Sequence, residues 1–301
     1  MTDLILRLAE YLRDSGRVLF ITGAGISADS GLPTYRGVGG LYNDRRTAEG
    51  YAIEECLSAS MFKRRPEITW EYMLQIADAV FRCEPNDAHR VIAGLEAKFV
   101  ERGGKVVVFT QNVDGYHIQA GSRNVLEIHG TLRRLFCTNN NCEWEERIGI
   151  DLVEEQNKEI VKAKLIRRVE ELREHLCSSN FTIHKAEHGS ATTWSGCSRA
   201  KPTAHTGSGM PCCPVCGSLI RPDIVLFEES LPCEVLERFD CEFDNGKGFD
   251  LIISVGTSAM FPYITAPIFE AIRHGKKTVD INPARSNLSE VVDLYIPSTA
   301  A

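Results

Sequence analysis

Residues 17–37 read RVLFITGAGISADSGLPTYRG, an apolar strand running straight into a glycine-rich turn. The unbroken run Val18, Leu19, Phe20, Ile21 suits a strand buried on both faces, the habit of parallel sheets covered by helices. The turn carries Gly23-x-Gly25-x-x-Ala28, the spacing of a dinucleotide-binding turn with alanine in the third place. In such turns the first glycine permits the sharp bend and the second lets the backbone approach a pyrophosphate. A hydride-transferring fold adds a second strand ending in Asp or Glu about 20 residues later, to hold a ribose. Here that region is GGLYNDRRTAEGYA (39–52), polar and loop-like, with no strand before Asp44 or Glu49. The pattern points to a bound nucleotide used for something other than hydride transfer.

The same apolar texture returns in KVVVFT (105–110), NVLEI (124–128), RPDIVLF (221–227), LIISVG (251–256), KTVDIN (277–282) and VVDLYI (291–296). All are expected in one parallel sheet. Helical patterns lie between them. One begins near PNDAH (85–89) and sets Val91, Ile92, Leu95 and Phe99 on one face; another spans PYITAPIFEAIRHG (262–275), with a proline inside. Strands alternating with helices give an α/β doubly wound domain. Residues 137–216 break the rhythm, because they hold seven of the eleven cysteines. They also contain a charged helical stretch, 154–176, with Ile160, Leu165, Val169, Leu172 and Leu176 at helical spacing, and a Ser/Thr/Gly-rich run, 189–209. The expected organisation is a sheet domain in two parts, 1–136 and 217–301, interrupted by a small module at 137–216.

A chain of 301 residues with 43% hydrophobic and 25% charged residues can bury a core without disulfide staples. The net charge of −7 gives no general affinity for nucleic acid or anionic membranes. The opening MTDLILRLAEYLRDSG is too short and too charged for a signal peptide and reads as an amphipathic helix. No run reaches the roughly 18 apolar residues of a membrane span. The expected location is therefore cytoplasmic. Eleven cysteines are many for a reducing compartment, where disulfides rarely persist, so several are expected to be metal ligands or buried small hydrophobes. Cys56, Cys83, Cys177, Cys233 and Cys241 stand alone and are expected to be small hydrophobic filler.

Polar groups gather at the strand ends: Thr22 before GAGIS, then TQNVDGYH (110–117), EIHGT (127–131) and VGTSAM (255–260). Ligands of an open parallel sheet bind beyond those ends, which puts Gln111, Asn112, Asp114, His117 and His129 on the rim of the glycine turn. A histidine there can serve as general base near neutral pH. No lysine of the GK[ST] type follows the glycines, so phosphoryl transfer is not indicated. Within the module, Cys137-x4-Cys142 and Cys213-Pro-Val-Cys216-Gly form two knuckles, and four thiolates satisfy a tetrahedral structural zinc. Cys212 is the alternative to Cys213, and Cys197 is spare.

GAGISADSGLPTYRG, TQNVDGYH, EIHG, the two cysteine pairs, RPDIVLF, VGTSAM and the late INP occur in the order seen in sirtuins, the NAD-dependent protein deacylases. The chain resembles that family from about Gly16 to Pro297, apart from the insertion near 150–210. The resemblance implies a Rossmann-like sheet domain, a small zinc domain, NAD as co-substrate and an acyl-lysine protein or peptide as partner. It implies cleavage of NAD at C1′ of the nicotinamide ribose, then proton removal from a ribose hydroxyl, giving free lysine and O-acyl-ADP-ribose. By motif, Gly23, Ala24 and Gly25 would wrap the phosphates, and Tyr35 and Arg36 would lie near the nicotinamide. Gln111, Asn112 and Asp114 would hold the nicotinamide ribose and its pocket, and His129 would be the base. Gly256, Thr257 and Ser258 would take the phosphate and adenosine side, with Asn282 at the adenine ribose. Phe227 and Glu229 would belong to the strand that pairs with the substrate backbone.

Four positions depart from the family pattern. Thr34 and Tyr35 stand where Asp and Phe are usual, Tyr116 replaces leucine, and Glu228 replaces a glycine beside the peptide groove, which suggests a preference for basic target sequences. In the helix before PNDAH, relatives that remove succinyl or malonyl groups tend to carry Tyr-x-x-Arg. Here Tyr72 fits and Gln75 does not, which favours acetyl or another neutral acyl group, since an amide cannot make arginine's bidentate contact to a carboxylate. The segment between Cys142 and Cys213 reads first as a solvated helix and loop; the alternative is a docking helix at 160–176 whose apolar side (Leu165, Val169, Leu172 and Leu176) would meet a partner or a second copy. Two other uses share the motifs: a protein ADP-ribosyltransferase, or a non-catalytic NAD or ADP-ribose sensor, against which Asn112, Asp114 and His129 together argue.

Overall fold

The structure, a computed structural model, describes residues 1–34, 50–148, 166–174, 210–244 and 248–301. In chain order the elements are α1 (Thr2–Asp14), β1 (Arg17–Thr22), a 3-10 helix (Ala24–Ser30), α2 (Ile53–Cys56), α3 (Ala59–Arg64), α4 (Pro66–Arg82), α5 (Asp87–Glu101), β2 (Lys105–Thr110), α6 (Tyr116–Gln119), β3 (Val125–Glu127), β4 (Gly130–Cys137), β5 (Glu145–Arg147), α7 (166–174), β6 (Ile220–Ile224), α8 (Cys233–Asp244), β7 (Leu251–Val255), α9 (Pro262–Arg273), β8 (Lys277–Ile281) and β9 (Leu294–Ile296). No described helix is long and apolar enough to cross a membrane.

The chain divides into two compact units. The first collects the described residues of Met1–Gly39, Cys83–Gly130 and Leu231–Ala301. Its six-stranded sheet has the order β3-β2-β1-β7-β8-β9, with neighbouring strands parallel throughout. Alternate residues of the central strands feed two separate cores, as a parallel sheet with two covered faces requires. Val18, Phe20, Val106, Val108, Leu251 and Ile253 pack with Ile92 and Phe99 of α5 and with the apolar side of α1. Leu19, Ile21, Val107, Phe109 and Ile252 pack on the other side with Phe239 of α8 and Ile264, Ile268 and Ala271 of α9. This is the Rossmann-like doubly wound architecture. Val91, expected on the buried face of α5, is 59% exposed, because the face is narrower than its apolar spacing implied. Asn86 caps α5 by accepting from the Ala88 N–H at 3.0 Å.

The second unit collects the described residues of Gly40–Arg82 and Thr131–Ser230 and contains the three-stranded sheet β5-β4-β6. RPDIVLF, expected among the parallel strands, supplies β6 of this small sheet instead. Its burial alternates, since only one face is covered, whereas β7 is buried at every residue. Strands β4 and β5 pair antiparallel and had no counterpart in the sequence reading. The segment 50–82 also packs with 131–230 rather than with the sheet domain. The Trp70 indole donates to the Ile220 carbonyl at 3.1 Å, and Phe227 pairs with the α2–α3 corner through Leu57 and Ala59, both at 2.9 Å. In α7, Val169 and Leu172 of the anticipated partner face are buried; Leu165 and Leu176, the rest of that face, lie outside the described residues, as does Ile160.

Glu228 occupies the left-handed region at φ 75°, where a side chain costs about 1–2 kcal/mol and glycine costs little. Its carboxylate accepts from the Ser60 N–H at 3.0 Å and the Ser60 hydroxyl at 3.2 Å, tying the loop to α3. The acidic group is thus engaged within the chain, which weakens the expectation that it selects basic peptides. Glu228→Ala loses these bonds and keeps the strain, so urea denaturation is expected to show a loss of about 1–2 kcal/mol. Glu228→Gly also loses the bonds but relieves the strain, and should regain about 1 kcal/mol of it. Equal stabilities of the Ala and Gly variants would contradict the left-handed backbone at this position.

Candidate active site

Strands β1 and β7 are neighbours at the centre of the sheet, and the chain continues from β2 on one side of them and β8 on the other. Such a topological switch point opens a crevice beyond the strand ends, and both glycine loops lie there. The Gly23 N–H donates to the Val255 carbonyl at 3.2 Å and the Gly25 N–H to the Gly256 carbonyl at 2.8 Å. A Cβ on Gly25 would come within 2.7 Å of Gly256, and one on Gly23 within 2.8 Å of the Thr257 side chain. The glycines are therefore required by the contact between the two loops, before any phosphate is considered.

The polar rim is cross-linked around this contact. Gln111 donates through Nε2 to Thr257 Oγ1 at 2.8 Å, and Asn282 donates through Nδ2 to the Thr257 carbonyl at 2.8 Å. Ser258, next to Thr257, is exposed. Asn112 is buried and donates through Nδ2 to the Gly23 carbonyl and to Ser27 Oγ, both at 3.1 Å. Its Oδ1 has no hydrogen-bond partner among the described residues, an acceptor left for a donor such as a ribose hydroxyl. Asp114 is buried as well, accepting from the Ser27 hydroxyl at 2.8 Å and the Tyr116 N–H at 2.9 Å.

Three histidines lie near the rim with different burial and partners. His117 is 2% exposed, sits 3.0 Å from Thr22 Oγ1 through Nε2, and is pushed down to about 3, mainly by burial and then by His89. His89, buried beside it with ring centroids 4.9 Å apart, is pushed down to about 4 by burial and then by Arg90. Both are neutral fixtures. His129, following β3, places Nδ1 at 2.9 Å from the Gln111 carbonyl oxygen and Nε2 at 2.9 Å from the Tyr263 hydroxyl. Burial lowers its pKa, with the Gln111 carbonyl opposing. A carbonyl only accepts, so the proton sits on Nδ1 and Nε2 carries the lone pair of a base.

Tyr35 and Arg36 lie outside the described residues. In the second unit Tyr72 is buried and Gln75 half-buried on α4. The Phe227 N–H and carbonyl are both used by Leu57 and Ala59, and Glu229 is locked by the Arg221 guanidinium at 2.7 Å and the Leu226 N–H at 2.8 Å. Sequence reasoning did not single out Ser27, His89 or Tyr263. The capping pattern Asn86-x-x-His89 was a signal for the second; nothing local marks the other two.

The sulfurs of Cys137, Cys142, Cys213 and Cys216 lie within 4.8 Å of one another, with Cys137 to Cys216 at 3.4 Å and Cys142 to Cys213 at 3.7 Å. Tetrahedral zinc–sulfur bonds of about 2.3 Å demand sulfur separations near these. The four cysteines fit a structural zinc with no open position. Cys212 stays outside, exposed, donating to the Met210 carbonyl at 3.2 Å. Cys56 is buried as expected of filler, whereas Cys233 and Cys241 are exposed; Cys177 and Cys197 lie outside the described residues.

Residues 23–262 match the description of the Sir2 family. The NAD-dependent protein deacylase 2 of Pseudomonas aeruginosa strain PAO1 is 37% identical over 298 residues, covering 98% of this chain and 93% of its own. The NAD-dependent protein deacylase of Thermococcus kodakarensis is 32% identical over 293 residues, 97% of this chain and 90% of its own. Among solved structures, a Sir2 homolog–NAD complex is similar with a TM-score of 0.68 at 29% identity, covering 98% of this chain and 89% of that one. A match that spans most of the chain, relatives above 30% identity along nearly all of it, and a shared fold together place this protein in the Sir2 family.

Proposed function

We propose that this chain is an NAD-dependent protein-lysine deacylase, with acetyl-lysine as the favoured substrate. The observation that carries the reading is His129: a half-buried neutral imidazole whose tautomer leaves a lone pair on Nε2, on the same strand-end rim as the glycine loops. When bound, NAD supplies the reactive C1′ and the nicotinamide leaving group. Gly23, Ala24 and Gly25 offer backbone to the phosphates at the switch point, and Gly256, Thr257, Ser258 and Asn282 take the adenosine side. Asn112 presents its free acceptor to a ribose hydroxyl, and the buried carboxylate of Asp114 favours positive charge developing nearby. His129 receives the proton of a ribose hydroxyl brought within about 3 Å. Gln111 orients that base through its carbonyl while its amide braces Thr257. Tyr35 and Arg36 are assigned to the nicotinamide pocket on the motif alone.

In the second unit, Tyr72 and Gln75 are assigned to the acyl group, and the segment around Phe227 is assigned to the peptide backbone on the motif alone, Phe227 itself being paired with Leu57 and Ala59 and Glu229 shaping the segment. Zinc, held by Cys137, Cys142, Cys213 and Cys216, would stabilise the small sheet and do no chemistry. The described cysteines are free thiols, in keeping with a reducing compartment such as the cytoplasm.

With NAD and an acetyl-lysine peptide, nicotinamide and free lysine should appear in equal amounts, and His129→Ala should lower both at least about a hundredfold. Nicotinamide without deacylated peptide would turn the reading to an ADP-ribosyltransferase. Lowering of the His129 pKa keeps the base neutral below the ordinary imidazole value, so the acid limb of kcat/KM should lie under about 6.5. Tyr263, the titratable group touching it, is pushed up to about 12 and stays neutral over that range.

Acetyl-peptide should be turned over about tenfold or more faster than succinyl-peptide, and Gln75→Arg should narrow the gap; comparable rates in the wild type would remove the neutral-acyl assignment. Metal analysis should find one zinc per chain. Cys213→Ser should lose the metal together with cooperative unfolding of the small unit, while Cys212→Ser should retain both.

A further inference from the structure

Tyr263 is the second residue of α9, and its hydroxyl lies 2.9 Å from His129 Nε2. The direction of this bond follows from its neighbours. Because the Gln111 carbonyl takes the Nδ1 proton, Nε2 has only a lone pair to offer, and the phenol must be the donor. Burial also keeps the phenol protonated at neutral pH. The ring is not free to wander. It stacks on Phe261 with centroids 5.2 Å apart and planes 9° apart, and both rings meet His129 edge-on, at 6.0 and 6.3 Å.

A neutral imidazole nitrogen has one in-plane lone pair and accepts one well-aligned donor at a time. The hydroxyl that His129 is to deprotonate has to donate to that same lone pair. Tyr263 and the ribose hydroxyl are therefore chemical equivalents competing for one acceptor.

We propose that Tyr263 is a placeholder for the ribose hydroxyl, a positioning residue that holds Nε2 aimed and occupied until the nucleotide arrives and then gives way to it. The proposal rests on the reading of His129 as the base. No covalent bond changes in the exchange: the Tyr263 O–H···Nε2 bond is replaced by ribose O–H···Nε2, and the phenol turns to solvent, which its half-buried position allows. Before binding, the placeholder spares the site an unpaired, half-buried nitrogen. Its consequence is weaker binding, by the worth of about one neutral hydrogen bond.

The test is calorimetric titration of ADP-ribose into wild type, Tyr263→Phe, His129→Ala and the double variant, with melting curves to establish that each is folded. Tyr263→Phe keeps the aromatic stack and removes one oxygen. It should bind ADP-ribose about two- to tenfold tighter, and the gain should vanish in the His129→Ala background. Incorporating 3-fluorotyrosine at position 263, a stronger donor of nearly the same shape, should weaken binding instead. The nitrogen-15 resonance of His129 Nε2 should differ between unliganded wild type and Tyr263→Phe and coincide when both are saturated with ADP-ribose. Equal or weaker binding by Tyr263→Phe, or a gain that persists without His129, overturns the placeholder while a ligand-responsive Nε2 resonance leaves the base assignment standing. An Nε2 resonance that ADP-ribose leaves unmoved in both proteins removes the contact between His129 and the ribose, and with it the base.

Discussion

A Cβ on Gly25 would lie 2.7 Å from the Gly256 backbone, and one on Gly256 would lie 2.4 Å from the Ile26 nitrogen. Gly256 also stands at φ 58°, where a side chain is strained in its own right. The two loops that follow β1 and β7 can touch only because neither carries a side chain at the contact. The rest of the rim hangs from this approach. Thr257 reaches Gln111 and Asn282, Gly23 reaches Asn112, and Asn112 reaches Ser27 and through it Asp114. Four strand ends are thereby fixed to one another by short polar bonds, so the groups that would meet a nucleotide are set before it binds. Preorganisation of this kind is what gives buried dipoles their value in catalysis.

The same residue type does two jobs within this rim, and burial with hydrogen-bond partners sorts them. His117 and His89 are sealed under the loops, dehydrated and neutral, and contribute shape and polar contacts. His129 is also held neutral by burial, but a backbone carbonyl fixes its proton on the far nitrogen. That leaves a basic nitrogen directed at a hydroxyl, supplied by Tyr263 in this structure. A general base needs this combination more than it needs any particular pKa, because geometry precedes proton affinity.

The second unit is built on a different principle. Its strand β5 has three residues, and short antiparallel strands contribute little stability alone. The cysteine cluster ties β4 to the knuckle at 213–216, and Trp70 and Phe227 bind the helical segment to β6 and its extension. Glu228 and Glu229, both candidates for substrate contact by position, spend their carboxylates on Ser60 and on Arg221 with Leu226. Their first effect is on the loop's own shape.

Strands β1, β2, β7 and β8, helices α1, α5 and α9 and the four-cysteine set were legible in the sequence, because each rests on local rules: apolar runs, caps, glycine turns and knuckle spacing. The rim residues Gln111, Asn112, Asp114 and His129 could be placed on one edge, since parallel strands all present the same end. What remained hidden depended on partners distant in the chain. RPDIVLF has the composition of a buried strand, yet it joins the small sheet because Trp70 and the α2–α3 corner cover only one of its faces. The carboxylate of Glu228 looked free until Ser60, 168 residues away, was found holding it. Tyr263 carried no signal at all, for nothing in PYIT says that its hydroxyl will meet an imidazole from position 129. Local periodicity sets which elements form, while only the packed structure decides which side chains share a hydrogen bond, because that choice is made by atoms the sequence keeps far apart.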